Sequence, residues 1–240
     1  MSQPSEQSIR PGILVFDVNE TLIDLESMNP LFERVFGDKR FLREWFAQLI
    51  LYSQTITLSD LYVDFWTVGA HVFRMLGTVH GVGITPEDVE GLKQGMKTMP
   101  AHADSAEGLQ LLQDAGFRLV TLTNSPPTPG SKSPLESAGL AHFFERQFNV
   151  QTVRAYKPAS VVYRMVAREL EVPTAACCLV ATHVWDTLGA QATGMAGALL
   201  TRPGNAPLPI PGLPQPNAIE PDLPSLARTL IRMWRPAAAT

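Results

Sequence analysis

Three short apolar runs punctuate the chain. They are "GILVF" leading to Asp17, "FRLVTL" leading to Thr123 and "CCLVA" leading to Thr182. Each has strand length, and segments with apolar residues at helical spacing separate them, which predicts parallel strands alternating with helices. The helix "DSAEGLQLLQDAG" is expected to start at Asp104 as cap, with Glu107 completing a capping box and Gly116 ending it. In "VVYRMVARELEVP", Val162, Met165, Val166 and Leu170 recur at helical spacing and Pro173 marks the exit. "TLGAQATGM" reads as a small-residue helix packed closely on the sheet, and "GALLT" at 197–201 as a further short strand.

Residues 25–100 have a different texture. Long aromatic-rich helical patterns, "FLREWFAQLILYS" and "LSDLYVDFWTVGAHVFRML", precede "TPEDVEGLKQGM", where Thr85 is placed to cap and Pro86 to open a helix. No strand pattern interrupts them. The expected layout is an all-helical insertion at 25–100, a lid whose aromatic stripe forms its own interior, on a core built from 1–24 and 101–240. The tail "RPGNAPLPIPGLPQPNAIEPDLPSL" is proline-dense and reads either as a flexible linker or, from the apolar residues between the prolines, as an extended segment wrapped on the core. "LPSLARTLIRMW" reads as a closing helix.

Composition narrows the function classes. In 240 residues, 45% are apolar and 18% charged, a globular balance. The net charge of −4, with no basic block, gives no electrostatic footprint for nucleic acid or an acidic membrane. No apolar run approaches the roughly 18–20 residues that span a bilayer, and the polar "MSQPSEQSIR" lacks the apolar centre of a secretory signal. A cytoplasmic protein is expected. Cys177 and Cys178 are adjacent within a strand-like run and read as small buried hydrophobes.

In a parallel sheet, ligands collect beyond the carboxyl ends of the strands. Asp17, Thr123 with Asn124, and the group around His183 and Asp186 all fall at that edge. Alone, an aspartate leaving a strand also reads as a turn former or helix cap. Taken together, "DVNET" at 17–21, "LTNS" at 122–125, "AYKP" at 155–158 and "HVWD" at 183–186 resemble, in order and spacing, the four motifs of the haloacid dehalogenase superfamily. The helical insertion after the first motif is similar to the cap of that family, and the resemblance runs from about Ile13 to Arg202. The W-D pair of the last motif, with Tyr163 six residues beyond Lys157, resembles the (S)-2-haloacid dehalogenase branch. The implied fold class is α/β, a Rossmann-like parallel-sheet core with an all-helical cap inserted after the first strand.

The resemblance implies roles. Asp17 would be the nucleophile that forms a covalent aspartyl ester, and Thr21 would orient its carboxylate. Thr123 would contact the substrate's anionic group through hydroxyl and backbone N–H, and Asn124 would offer an amide. Lys157 would hold Asp17 ionised, Asp186 would position Lys157 and the hydrolytic water, and Tyr163 would be a hydrogen-bond partner beside the lysine. Trp185 would wall the pocket. The implied partner is a small anionic substrate, and a homodimer is implied by resemblance alone.

The amide at Asn19 discriminates among chemistries. Phosphatases of the superfamily place a second aspartate there to protonate an alkoxide leaving group, a step worth on the order of 10²–10⁴ in rate. Asn19 does not titrate, whereas a halide leaves without a proton, so displacement at carbon is favoured and no cofactor is expected. The alternatives are a magnesium-dependent phosphatase using Asp17 and Asp186 as ligands, and a weakly catalytic member that binds a metabolite anion. Departures from the dehalogenase pattern are also present. Asn19 replaces the usual tyrosine, Phe46 stands where a cap arginine cradles the halide, Ala181 replaces a serine and His183 an asparagine. Arg43 is a candidate substitute for the missing cation. His183 reads equally as a structural residue, a donor to substrate or halide, or an activator of the water.

Overall fold

A computed structural model describes residues 10–126, 130 and 132–235. Six strands form one sheet: β1 (Ile13–Phe16), β2 (Arg118–Thr123), β3 (Arg146–Asn149), β4 (Cys177–Ala181), β5 (Ala196–Leu200) and β6 (Ala218–Glu220). The order is β3-β2-β1-β4-β5-β6 and every neighbouring pair is parallel. β1 is buried along its length between β2 and β4, which is why it reads as an unbroken apolar run rather than an alternating one. The strand order reverses at β1, and the crevice outside such a reversal is where ligands bind in doubly wound sheets.

Between β1 and β2 the chain forms α1 (Asn29–Phe36), α2 (Phe41–Leu58), α3 (Phe65–Val79), α4 (Pro86–Thr98) and α5 (Ser105–Asp114). Phe32, Trp45 and Phe73 pack together inside this insert, with Phe32 5.6 Å from the Trp45 ring and 5.5 Å from Phe73. The aromatic stripe is therefore interior packing. Thr85 and Asp88 close a reciprocal cap at the start of α4. The two passages into and out of the insert run side by side, with Asp24 N–H donating to Pro100 C=O (2.8 Å) and His102 N–H to Leu22 C=O (3.0 Å). α6 (Pro134–Ser137), α7 (Ser160–Glu169), α8 (Val184–Gln191) and α9 (Leu223–Trp234) complete the fold.

Three expectations are corrected. The pattern from Leu58 to Leu76 is not one helix: α2 stops at Leu58, Asp60 takes φ +55°, and Asp64 caps α3 by accepting from Thr67 N–H. The Asp104–Glu107 capping box does not form. The Asp104 carboxylate is taken by the Arg202 guanidinium at 2.7 and 2.8 Å and by Leu223 N–H at 2.8 Å, and a charged partner outcompetes the local cap. The proline-dense stretch is wrapped on the core only at its ends: Asn205 bonds Glu20 and Ala218–Glu220 pairs with β5, whereas Leu208, Ile210 and Leu213 between them are exposed. Gly116 does end α5, at φ +87°. Residues 1–9 of the polar N-terminal segment lie outside the described residues. No helix among the described residues is long and apolar enough to cross a membrane.

Candidate active site

Asp17 is the first residue beyond β1, and its N–H still donates to Val180 C=O of β4 (3.0 Å), which anchors it at the strand ends. Its carboxylate is buried, and each oxygen accepts one hydrogen bond. Thr21 Oγ1 donates to Oδ2 at 2.7 Å, and Lys157 Nζ donates to Oδ1 at 2.7 Å. Thr182 N–H, just past β4, donates to Thr21 Oγ1 at 3.0 Å and so fixes that hydroxyl as a donor to Asp17. Lys157 Nζ also donates to Asp186 Oδ2 (2.6 Å) and Leu122 C=O (3.0 Å). Tyr163 OH, from α7, donates to Asp186 Oδ1 at 2.6 Å. Burial by itself would raise the Asp17 pKa, but the Lys157 ammonium, with His183 nearby, holds it well below the usual carboxylate range. The same two carboxylates reverse the effect of burial on Lys157 and raise its pKa. The nucleophile candidate is thus an anion and its neighbour a cation.

The close fit of this cluster depends on small residues. A Cβ on Gly189 of α8 would lie 2.4 Å from Pro158 Cβ and 2.9 Å from Tyr163 OH, so α8 approaches the lysine loop only because position 189 lacks a side chain. Burial pushes the Cys177 thiol up to about 11, in line with its reading as a packing residue.

Beside Asp17 lies a small cavity. Asn19, Thr123, Asn124 and His183 join Asp17 on its polar side, and Phe46, Ile50, Phe65 and Trp185 form the apolar side. It leaves ≈ 10 Å³ for the centre of a water-sized sphere, room for about a single water. Asn124 Oδ1 accepts Lys157 N–H at 3.0 Å, which orients the amide and leaves its N–H donors for a ligand. Asn19 Nδ2 donates to Ser125 Oγ (3.2 Å), and Ser125 N–H donates to Thr123 Oγ1 (3.1 Å). A wider cleft of ≈ 420 Å³ opens from Asn19 and Phe65 toward Lys93 and Lys97 of α4.

The structure thus gathers all eleven candidates, from the four motifs, the insert and α7, in two groups. Asp17, Thr21, Lys157, Asp186 and Tyr163 form the hydrogen-bonded cluster. Asn19, Phe46, Thr123, Asn124, His183 and Trp185 line the cavity with Asp17. Arg43 does not join them. Its guanidinium pairs with Glu20 and, at 2.8 Å, with Glu26, and donates to Pro203 C=O at 3.0 Å. It faces a separate cleft lined by Glu20, His102 and Arg202.

Magnesium does not fit this donor set. Lys157 already places its positive charge between the Asp17 and Asp186 carboxylates, Thr21 and Tyr163 donate to their other oxygens, and position 19 supplies an amide. Among the described residues no group of three His, Cys, Asp or Glu side chains is placed to hold a metal ion.

Two residues that sequence reasoning passed over are built into the site. Glu20 is buried and takes φ +67°, and its carboxylate meets His183 Nε2 at 2.8 Å, Asn205 Nδ2 at 2.8 Å and Arg43. Arg202, just past β5, donates to Thr21 C=O at 3.1 and 3.3 Å while clamping Asp104, so it holds the loop that carries Asp17. An acid inside "DVNET" and a cation at a strand's carboxyl end were the available signals.

A family model described as haloacid dehalogenase-like hydrolase matches residues 12–194. The chain is 28% identical over 200 residues to (S)-2-haloacid dehalogenase 4A of Burkholderia cepacia, covering 80% of this chain and 84% of that protein. It is 25% identical over 199 residues to (S)-2-haloacid dehalogenase of Pseudomonas fluorescens, covering 80% and 85%. The structure of L-2-haloacid dehalogenase from Xanthobacter autotrophicus superposes with a TM-score of 0.81 at 25% identity, covering 92% of this chain and 98% of that one. The helical insert after β1 corresponds to the cap of that fold.

Proposed function

The chain belongs to the haloacid dehalogenase-like hydrolases, and from that membership we propose that it hydrolyses short (S)-2-haloalkanoic acids to 2-hydroxy acids through a covalent ester on Asp17. The observation that carries this is the Asp17 carboxylate, kept anionic by Lys157 at 2.7 Å in a cavity that offers no acid at position 19. An anionic oxygen attacks carbon in line and expels the halide, which departs without a proton. Thr123 and the Asn124 amide hold the substrate carboxylate. Phe46, Ile50, Phe65 and Trp185 keep bulk water from the first displacement and limit the chain length. The curated relatives named above carry the same activity in their names.

A halide-release screen over 2-halo acids, run beside a panel of phosphate esters with and without chelator, tests the proposal. Halide release from a short 2-halo acid, with oxygen-18 from the solvent entering the Asp17 carboxyl group during turnover, is expected. Chelator-sensitive phosphate release without halide release would overturn it.

A further inference from the structure

The ester on Asp17 must be cleaved by water, and that step needs a base. Both oxygens of Asp186 already accept a hydrogen bond, one from Lys157 and the other from Tyr163, and Asp186 does not line the cavity beside Asp17. Among the described residues, the titratable side chain with an uncommitted polar atom in that cavity is His183. It is more than nine-tenths buried, and its Nδ1 has no hydrogen-bond partner. That atom lies 3.8 Å from Asp17 Oδ2, too far for a direct hydrogen bond and close enough for one water to touch both. The cavity that both residues line has room for about one water.

The other nitrogen is fully committed. Nε2 meets Glu20 Oε2 at 2.8 Å, and an anionic acceptor keeps the hydrogen on Nε2, so a neutral ring presents its lone pair at Nδ1. The ring plane is fixed as well, between Trp185 (5.1 Å, 18°) and Phe46 (5.4 Å, 31°). Glu20 is itself held by Arg43 and Asn205, and by its backbone, whose C=O meets His102 Nε2 at 3.0 Å. A non-glycine residue at φ +67° persists only where the surroundings over-determine it.

We propose that Glu20 and His183 form a dyad in which Nδ1 of His183 takes the proton from the water that cleaves the Asp17 ester, with Glu20 as its positioning residue. The inference rests on Asp17 being the ester-forming nucleophile. Before the reaction, the Asp17 and Glu20 carboxylates hold the ring protonated. Esterification removes the Asp17 charge, the halide departs as the anion, and the Nδ1 proton is lost to solvent. Water oxygen then bonds to the Asp17 carboxyl carbon as Nδ1 takes one of its protons. The bond from that carbon to the product oxygen breaks, and the product alkoxide takes the proton from Nδ1. Asp17 retains the water oxygen and re-ionises, and its remaining proton returns to Nδ1. The sum is one halo acid and one water in, one hydroxy acid, one halide and one proton out.

The test separates the two chemical steps. His183→Phe keeps the stack between Phe46 and Trp185 and removes both nitrogens. With 2-chloropropionate it is expected to release about one halide per chain, then to slow on the order of 10²–10⁴-fold, with the ester accumulating on the Asp17 peptide by mass spectrometry. Glu20→Gln, which keeps the side-chain size, is expected to show the same accumulation in milder form, with kcat lowered and KM little changed. Ester cleavage within about threefold of wild type in both variants, or loss of the halide burst without an adduct in a variant whose circular dichroism is native, overturns the dyad. If the wild-type protein releases no halide from any 2-halo acid, the dehalogenase reading fails first and the dyad falls with it.

Discussion

Lys157 Nζ stands 2.7 Å from Asp17 Oδ1 and 2.6 Å from Asp186 Oδ2, with 1% of its side chain exposed. One buried cation thus bridges two buried carboxylates, and removing it would leave them facing each other. Lys157→Met is expected to destabilise the fold by about 3–5 kcal/mol at neutral pH, the usual range for breaking a buried pair, as read by urea denaturation. The sign with pH follows from Asp17, whose folded pKa lies below the unfolded value of 3.8. Its stabilisation is present above that value and lost as pH falls through the folded one, so the wild-type advantage over Lys157→Met should shrink in acid. A difference that stays constant down to pH 2 would contradict the pairing.

Gly189→Ala tests the packing behind this cluster. The added methyl would overlap Pro158 and the Tyr163 hydroxyl, and either α8 or the lysine loop must shift. Overpacking of this kind costs about 1–3 kcal/mol. Because Tyr163 and Lys157 share Asp186, kcat should fall along with the melting temperature. A variant with native stability and rate would mean that the loop accommodates the methyl freely.

What was legible in the sequence divides along physical lines. β1, β2 and β4 are buried on both faces, so each is an apolar run visible without context. β3, "RQFN", and β6, "AIE", lie at the sheet edges with mixed exposure, and nothing in so short and polar a pattern announces a strand. At the site, Asp17, Lys157 and Asp186 were readable because motif order places them at one sheet edge. Glu20 was not, since its partners His183, Asn205 and Arg43 lie far along the chain. Arg43 was offered as a free cation for the same reason. A charge can be read from sequence, but whether another charge has already claimed it is a property of the fold. Asp104 repeats the point with Arg202 in place of its expected cap.

His183 sets a second pH dependence. Burial alone would lower its pKa, but the Asp17 and Glu20 carboxylates facing it raise it to about 9 from 6.5. Arg43 pairs with Glu20, and Lys157 Nζ lies 5.8 Å from the centroid of the Trp185 ring. A raised folded pKa means that the stabilisation is complete below about pH 6.5 and is lost as pH rises through about 9. Imidazole NMR should show one ring titrating near the upper value, and Glu20→Gln should move that titration downward. The loss of stability across this window should be absent in His183→Phe. Its persistence there would assign it to another group.

Asn19→Asp asks whether the amide at this position only permits halide chemistry or also decides the reaction. The new carboxylate would enter the cavity that Asp17 and His183 line, where two like charges raise one pKa and repel an anionic substrate. KM for a 2-halo acid should therefore rise, on the order of tenfold at neutral pH, and recover as pH falls and the added acid protonates. Phosphatase activity is not expected to appear. The added acid would supply a proton for a poor leaving group, but the Asp17 and Asp186 oxygens remain committed to Lys157, Thr21 and Tyr163. Steady-state assays with 2-chloropropionate and with phosphate esters in magnesium check both halves. Magnesium-dependent phosphate release by this single variant would mean that the lysine-bridged cluster opens to a divalent ion, and that Asn19 alone keeps the site from phosphoryl transfer.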